Sequence, residues 1–389
     1  MKSLLYISPA IFPYGGAYSS RLQNFARLFY SLGYKLHIIS DYSFQNNVSR
    51  NKIFQFEHVS YQVLTNVPSP LNRIKCTIFS VSIFRKYIST HNVDIVILGN
   101  CYDRFSRMRS ICKEKGIPCV LEIGEWYDTN SRRLGKFNPY NIIYNRVIQS
   151  EYVKSDGVIA ISRYLQQYFK SFTQNVIRIP TILDVQNNDY SLETNNKKLV
   201  IVQIGFSGTH KEKFENIFLA LKKLGKERTK IEYNIYGSTK DTVLKNISNN
   251  TELLDSVSDC VNIKGKVPQP EIHDIYKNAD YSIFIRPQKR SNEAGFPTKL
   301  AESMMAGTPV ITNKTGDIEL YLKESVNGYF LEENSVDYLL NIFKQLLNQN
   351  YNDHKQLRIE ARKEAERSFD YRIYSSDLKK MLESLYNKA

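Results

Sequence analysis

A repeated alternation of short apolar runs and helix-like stretches is the feature that most constrains the fold of this 389-residue chain. In the first half, apolar runs of strand length stand at residues 4–8, 35–40, 93–98, 118–123 and 157–161. Stretches with helical spacing stand between them at residues 19–32, 104–115 and 163–170. This alternation predicts a doubly wound parallel sheet with helices on both of its faces.

The same pattern restarts after a polar, Asn-rich segment. New strand-like runs stand at residues 199–204, 233–236, 281–285 and 309–312, and helix-like stretches at 214–225 and 299–306. One compact core rarely grows past roughly 300 residues, so two domains are expected. Two Rossmann-like domains are predicted at residues 1–184 and 199–366, joined by a linker at residues 185–198. Residues 367–389 are predicted to form a C-terminal helix that packs back on the first domain.

The positive charge is concentrated in one half of the chain. Residues 1–184 carry a net charge of +12, whereas residues 185–389 carry +2. This asymmetry indicates an anionic partner for the first half, although a generic basic surface is the alternative. Because nucleic-acid-binding motifs are absent from the sequence, we favour an anionic membrane surface over nucleic acid.

One stretch is a candidate for that membrane contact. Residues 73–87 place Arg73, Lys75, Arg85 and Lys86 around an apolar centre. Such a helix fits a lipid headgroup layer, and it fits equally a helix that packs on the core with solvated ends.

Several classes of protein are not expected from the sequence, among them disulfide-stabilised, metal-binding, P-loop and membrane-spanning proteins. The five cysteines include no C-x-x-C pair, which favours reduced core thiols in the cytosol over zinc ligands or a disulfide framework. The sequence contains no metal-binding motif and no P-loop, so no metal is expected. It contains no apolar run of 18 residues, so a spanning helix is not expected.

The richest segment for chemistry is residues 286–316. There a Gly/Pro loop at 294–298 opens a helix that carries Glu302 and stops at Gly307. Backbone amides at a helix N-terminus suit a diphosphate, and a carboxylate one turn into the helix can accept two ribose hydroxyls. A weaker signal is the pair Gly15-Gly16 after the first strand, which also lets backbone amides approach a ligand. An ordinary turn between a strand and a helix explains this pair equally well.

The segment from Glu302 through Gly307-Thr308-Pro309-Val310-Ile311 resembles the donor-binding motif of the family 4 glycosyltransferases, which have the GT-B fold. In that motif, a first Glu stands eight positions before the second. Here Ala294 occupies that place and Glu293 lies one residue early. The resemblance implies that Glu302 binds the ribose. It implies that donor contacts come from Glu293 or from the loop Gly295, Phe296, Pro297 and Thr298.

Other stretches extend the resemblance over nearly the whole chain. Residues 204–212 are similar to the loop that opens the family's donor domain, which makes Gly205 its glycine and Lys211 its diphosphate-binding lysine. Phe206 stands where an arginine is common, so Arg286 or Lys299 is expected to supply a second cation. Gly15 and Gly16 correspond to the family's N-terminal glycine loop and are counted among the donor-binding residues.

The predicted reaction centre departs from the family's usual pattern. Many family members have a histidine after the strand that corresponds to residues 118–123, and here that place holds Glu125, Trp126 and Asp128. Glu125 is the candidate to stabilise positive charge at the anomeric carbon or to orient the acceptor. The alternative is an acidic loop whose tryptophan caps the core.

The resemblance implies a retaining, metal-independent hexosyltransferase with Lys211, Arg286 and Glu125 as catalytic residues and no cofactor beyond its substrate. The donor is expected to be a nucleotide-sugar such as a UDP- or GDP-sugar. The acceptor is expected to be a glycan or a polyprenyl-diphosphate-linked glycan for capsule or O-antigen-like polysaccharide. The expected location is peripheral, on the cytoplasmic face of the inner membrane. Rival hypotheses are a GT-B sugar-nucleotide epimerase and a non-catalytic nucleotide-sugar-binding homologue.

Overall fold

The computed structural model describes residues 1–44, 52–128, 135–205, 214–331 and 335–386, which fold into two compact α/β units. The first unit groups residues 1–183, 293–296 and 371–389, and the second groups residues 184–292 and 297–370.

The sheet of the first unit has eight strands within the described residues. They are β1 (Lys2–Ile11), β2 (Tyr34–Tyr42), β3 (Phe54–Phe56), β4 (Val59–Thr65), β5 (Ile95–Gly99), β6 (Cys119–Ile123), β7 (Gly157–Ala160) and β8 (Val176–Arg178). Their order is β3-β4-β2-β1-β5-β6-β7-β8, and all neighbours are parallel except β3 with β4. Parallel pairing requires crossovers, and helices supply nearly all of them.

The helices that connect these strands are α1 (Ala17–Ser31), α2 (Pro70–Thr90), α3 (Phe105–Glu114), α4 (Pro139–Ser150) and α5 (Arg163–Lys170). Helix α1 forms where it does because Leu22, Phe25, Ala26 and Phe29 recur at helical spacing and are buried against the sheet. The helix ends before Gly33, whose φ of +81° suits a glycine after a helix.

The second unit begins a new parallel sheet. Its strands in the described residues are β9 (Leu199–Ile204), β10 (Ile231–Tyr236), β11 (Val261–Gly265), β12 (Tyr281–Phe284), β13 (Val310–Asn313) and β14 (Gly328–Leu331). The order is β11-β10-β9-β12-β13-β14, with all neighbours parallel. The switch in strand order beside β9 creates the crevice where open α/β sheets bind ligands.

The helices of the second unit lie between and after these strands. They are α6 (Glu215–Lys223), α7 (Lys240–Asn246), α8 (Thr251–Asp255), α9 (Ile272–Lys277), α10 (Arg290–Ala294), α11 (Thr298–Met305), α12 (Val336–Leu347) and α13 (Tyr351–Ser368). A last helix, α14 (Ser375–Tyr386), places Leu378, Leu382 and Leu385 in the same hydrophobic core of the first unit that contains Phe25.

The polar segment that begins the second unit is held by two buried arginines of α13. Arg362 donates to the carbonyl oxygens of Val185 and Asn188, at 2.8 and 3.1 Å. Arg358 donates to the carbonyl oxygen of Ser191 at 2.9 Å. Polar backbone that leaves the sheet needs donors when it is buried, and these guanidinium groups supply them.

Cys76, Cys101, Cys112, Cys119 and Cys260 are free and buried, in agreement with the predicted core positions of these thiols. In the part of the chain that the structure describes, no helix combines the length and the apolarity that crossing a bilayer requires. Across the same residues, no group of three His, Cys, Asp or Glu side chains is placed to hold a metal ion.

Candidate functional site

The edge of the second sheet where its parallel strands end carries several of the predicted site residues. Gly205 follows β9 with a φ of +130°, and its N–H donates to the carbonyl oxygen of Tyr236 at 3.1 Å. Arg286 follows β12, and Asn313 ends β13. Because β9, β12 and β13 are neighbours, their last residues lie along one edge of the sheet.

Lys299, the second residue of α11, reaches this edge. Its Nζ atom lies 5.4 Å from the ring centroid of Phe284, the last residue of β12. It also lies beside Gly205, since a Cβ atom placed on that glycine would be 3.0 Å from Nζ. The ammonium group is therefore fixed where β9 and β12 end, as expected for a cation that meets a phosphate.

Glu302 lies on α11, one turn after Lys299. Its side chain is half-buried, and burial raises its pKa from the ordinary 4.5 to about 7, against the opposing effect of the Lys299 charge. Among the described residues, the carboxylate has no hydrogen-bond partner. A desolvated carboxylate that lacks donors is suited to accept them from a ligand.

The N-terminus of α11 has an orientation suited to an anion. Its N-cap residue, Pro297, gives no side-chain hydrogen bond to the first turn, which begins at Thr298. Helix N-termini carry partial positive charge, and backbone N–H groups that receive no side-chain cap favour anionic ligands. Thr298, Lys299 and Glu302 thus share the two first turns of one short helix.

The loop before α11 departs from the expected acidic pattern. Ala294, eight positions before Glu302, is fully buried, and its carbonyl oxygen accepts a hydrogen bond from Ser162 Oγ at 2.7 Å. Glu293 is half-buried beside it on α10. Gly295 and Phe296 are buried and, like Glu293, are grouped with the first unit. A methyl group with no exposed surface cannot contact a sugar, which leaves Glu293 as the acidic residue at this place.

Lys211, the predicted diphosphate-binding lysine, lies outside the described residues, as does Phe206.

In the first unit, the glycine loop follows β1. A Cβ atom on Gly15 would lie 2.6 Å from both Ile11 Cβ and Ser19 Oγ, so only glycine fits there without rearrangement. Gly16 has a φ of +143° and is the N-cap of α1. The loop is thus a tightly packed turn that brings backbone amides to the N-terminus of α1.

Glu125 lies in the loop after β6. Its carboxylate accepts a hydrogen bond from the hydroxyl of Tyr127, and its carbonyl oxygen accepts one from Tyr144 Oη at 2.9 Å. The neighbouring Trp126 is buried, packs on Tyr168 with ring centroids 4.7 Å apart, and donates from Nε1 to Asn145 at 2.8 Å. Trp126 therefore anchors the loop that presents Glu125.

A buried ionic network beside this loop was missed at the sequence level. Glu122, in β6, is fully buried and accepts from Arg21 Nε and from Tyr18 Oη, each at 2.8 Å. Arg21 also donates to the carbonyl oxygens of Ile179 and Pro180. The available signal was a glutamate inside an apolar strand, which requires a buried partner.

A second missed pair lies at the end of β2. Arg104 Nη2 donates to both carboxylate oxygens of Asp41 at 2.7 Å, and both side chains are buried. The two pairs tie the ends of β6 and β2 to α1 and to Arg104, the residue that precedes α3.

Comparison with known proteins finds one matching family and a relative of known activity. Residues 184–364 match the family described as Glycosyl transferases group 1. The amylovoran biosynthesis glycosyltransferase AmsK of Erwinia amylovora is 30% identical over 132 residues, which is 33% of this chain and 32% of AmsK. The match therefore spans about a third of the length of that relative.

Solved structures resemble the chain over its full length. Sucrose-phosphate synthase from Thermosynechococcus elongatus has a TM-score of 0.76 at 12% identity, with 100% of both chains covered. Anabaena HepE in complex with UDP and glucose has a TM-score of 0.70 at 16% identity, with 99% of this chain and 100% of HepE covered. At these identities the likeness shows the fold, and it confirms the predicted GT-B fold class.

Proposed function

Since residues 184–364 match the family described as Glycosyl transferases group 1, we propose that this chain transfers a sugar from a nucleotide-sugar donor to a glycan or lipid-linked acceptor in cell-surface polysaccharide synthesis. The observation that carries the proposal is the pairing of Lys299 and Glu302 on the first turns of α11, at the ligand-binding edge of the second sheet. A cation and a carboxylate one turn apart match the diphosphate and the ribose of one nucleotide. The HepE structure holds UDP and glucose, which supports a donor of this class.

In the proposed reaction, the anomeric C–O bond to the diphosphate breaks through an oxocarbenium-like state, and the diphosphate takes the electron pair. Its growing negative charge meets Lys211, Arg286, Lys299 and the first amides of α11. The oxygen of the incoming hydroxyl then bonds to the anomeric carbon on the face that the diphosphate leaves, and the leaving phosphate accepts the proton of that hydroxyl. The anomeric configuration is therefore retained, and fixed cations take the place of a metal ion. Glu125 stabilises the positive charge or orients the acceptor.

The test is a panel of UDP-, GDP-, ADP- and CMP-sugars, measured first for binding by saturation-transfer NMR and then for donor hydrolysis and for transfer to glycan acceptors. Transfer that depends on an acceptor supports the proposal. Conversion of the sugar without an acceptor indicates an epimerase, and binding without turnover indicates a non-catalytic homologue. A wild-type chain that binds none of these nucleotides refutes the proposal.

The acceptor side is proposed to meet an anionic membrane through α2. This helix buries Cys76, Ser80, Phe84 and Ile88, which are four residues apart and face the core. The opposite side exposes Leu71, Ile74 and Ile78 at 61%, 58% and 60% of their surface. Arg73, Arg85 and Lys86 are exposed and Lys75 is half-buried on the same helix. An apolar stripe with basic neighbours is the composition that binds a headgroup layer.

Liposome co-sedimentation tests this attachment. Each basic residue near an anionic surface contributes about 1 kcal/mol, so charge reversal of Arg73, Lys75, Arg85 and Lys86 should abolish binding, and salt should weaken it. Replacing Leu71, Ile74 and Ile78 by Ser should weaken binding to neutral and anionic vesicles alike. The matched control is charge reversal of Lys113 and Lys115, which lie at the end of α3 and in the residue after it. Binding that ignores lipid charge and salt would favour a soluble acceptor.

A further inference from the structure

Arg286 is held in place by two buried asparagines of the second unit. Asn313 clamps its backbone, because Asn313 Oδ1 accepts from the Arg286 N–H at 2.8 Å and Asn313 Nδ2 donates to the Arg286 carbonyl oxygen at 2.7 Å. Asn313 is 1% exposed. The end of β12 is thus tied to the end of β13 by one side chain.

Asn292 holds the other end of the residue. The Arg286 guanidinium donates from Nη2 to Asn292 Oδ1 at 2.8 Å, and Asn292 Nδ2 donates to the Pro287 carbonyl oxygen at 2.7 Å. Asn292 is 6% exposed, so its carboxamide is fixed by the fold and cannot reorient freely. The guanidinium is therefore oriented by a group that is itself immobile.

The chemical nature of Asn292 affects the charge around the Arg286 guanidinium. Asn292 orients the guanidinium through a neutral acceptor, whereas a carboxylate at the same position would add a negative charge beside it. The same loop adds Lys289 and Arg290, and its acidic residue is Glu293. A flexible arginine loses rotamer freedom on binding a ligand, and orienting it beforehand removes much of that cost.

We propose that Asn292 is a positioning residue that orients the Arg286 guanidinium for an anionic group of the nucleotide-sugar donor. The inference rests on the proposed function and adds a residue for which neither the motif nor the family resemblance provides a role. The anionic group has two possible sources with the same chemistry, the diphosphate and a carboxylate on the donor sugar.

A double-mutant cycle tests the proposal, with UDP as the probe and isothermal titration calorimetry as the assay. Arg286→Ala and Asn292→Ala should each weaken binding about tenfold. Asn292→Ala should have no further effect in the Arg286→Ala background, because Asn292 acts through that guanidinium. Additive losses would assign Asn292 a purely structural role and overturn the proposal, as would a single variant that binds both UDP and UDP-glucuronate as tightly as the wild type does.

Two further variants keep the test interpretable. Gln288→Ala removes another amide of the same loop, which donates to the Lys314 carbonyl oxygen, and should leave UDP binding unchanged. Asn292→Asp keeps an oxygen acceptor for the guanidinium and adds a negative charge beside it. It should weaken UDP binding at least as much as Asn292→Ala, even if the alanine variant is unstable. Retention of wild-type affinity for both UDP and UDP-glucuronate by a folded Asn292→Asp variant would overturn the proposal.

The source of the anion is settled by the choice of probes. If the guanidinium meets the diphosphate, Asn292→Ala should weaken UDP more than UMP. If it meets a sugar carboxylate, UDP should bind normally, and UDP-glucuronate should lose the advantage that it has over UDP-glucose in the wild type. In that case, the double-mutant cycle is read with UDP-glucuronate. A wild-type chain that binds no nucleotide refutes the proposed function itself, which separates that failure from an additive cycle.

Discussion

Glu302→Gln is the substitution that probes the proposed nucleotide site most directly. Burial raises the pKa of this carboxyl from 4.5 to about 7, so the apo protein near neutral pH contains both protonation states. Ribose hydroxyls that donate to the carboxylate stabilise its ionised form, and binding should lower the pKa. Nucleotide affinity should therefore rise as pH increases from 6 to 8 in the wild type, whereas the glutamine variant should lack this component.

The magnitude follows from the environment of the carboxyl. One pKa unit corresponds to about 1.4 kcal/mol, so ionised Glu302 destabilises the folded apo protein by about 3 kcal/mol relative to a solvated glutamate. Since the folded-state pKa is raised, this cost is absent below pH 4.5 and grows as pH rises toward 7. Hydrogen bonds to a charged group contribute about 1.5–3 kcal/mol, against about 1 kcal/mol for neutral ones. Glu302→Gln should thus weaken nucleotide binding about 10- to 100-fold at pH 8 and stabilise the apo protein at that pH.

The assay is calorimetric titration with UDP and GDP at pH 6, 7 and 8, paired with urea denaturation of the apo protein. The terminal phosphate titrates near pH 6, so the wild type is compared with the variant at each pH to isolate the carboxyl. A 2′,3′-dideoxy nucleotide is the matched ligand control, since it should bind both proteins equally weakly. Equal UDP affinity of the two proteins, or equal pH dependence of their stabilities, would refute the assignment of Glu302.

Three other perturbations address separate parts of the molecule. Lys211→Ala should lower turnover more than UDP binding, because charge grows on the diphosphate only as the bond breaks; equal turnover of variant and wild type would show that the loop is misaligned. Gly205→Ala should destabilise the second unit by about 1–3 kcal/mol in urea denaturation, because the residue has a φ of +130°. It should also weaken donor binding, because the new Cβ would contact Lys299 Nζ. An unchanged unfolding midpoint would contradict this prediction. Arg21→Met should destabilise the first unit by about 3–5 kcal/mol by leaving Glu122 buried without its cation, whereas loss of an exposed pair by Arg27→Ala should cost at most about 1 kcal/mol; equal effects of the two would refute the role of burial.

The fold could be predicted because its central strands are continuous apolar runs. The predicted strand at residues 199–204 coincides with β9, and the predicted helices at 19–32 and 299–306 lie within one residue or two of α1 and α11. The strands without a sequence prediction, β3, β4, β8, β11 and β14, lie toward the outer edges of the sheets. Edge strands are short or half-exposed, so their sequences lack a continuous apolar run.

The C-terminal region shows that a high density of charged residues does not by itself place their side chains at the surface. The charged sequence after residue 350 includes the helix predicted at residues 367–389, whereas the structure has two helices, α13 and α14, separated at residues 369–374. Arg358 and Arg362 are buried, although arginines in such a run normally face solvent. They are buried because the segment that begins the second unit presents carbonyl groups to them, a tertiary contact that has no local signal.

The candidate site was predictable where a motif fixes a residue relative to a helix, as for Glu302. Its raised pKa was not predictable, because it depends on burial produced by elements distant in sequence. The same holds for Arg286: its positive charge is visible in the sequence, but its orientation by Asn292 and Asn313 exists only after β12 and β13 pair.

Charge has two physically distinct uses in this chain. Residues 1–184 have a net charge of +12, and most of their basic side chains that the structure describes are half or fully exposed. Interactions of such groups with an anionic surface decay within about 8 Å at physiological salt. The second half has a net charge of only +2, yet it holds the cations proposed for the donor, among them Arg286 and Lys299. These act through fixed position: one is oriented by a buried carboxamide, and the other lies against Gly205 and Phe284. Partly buried, oriented charges are screened far less than exposed ones, so salt that releases the first unit from a membrane should leave the donor site of the second unit functional.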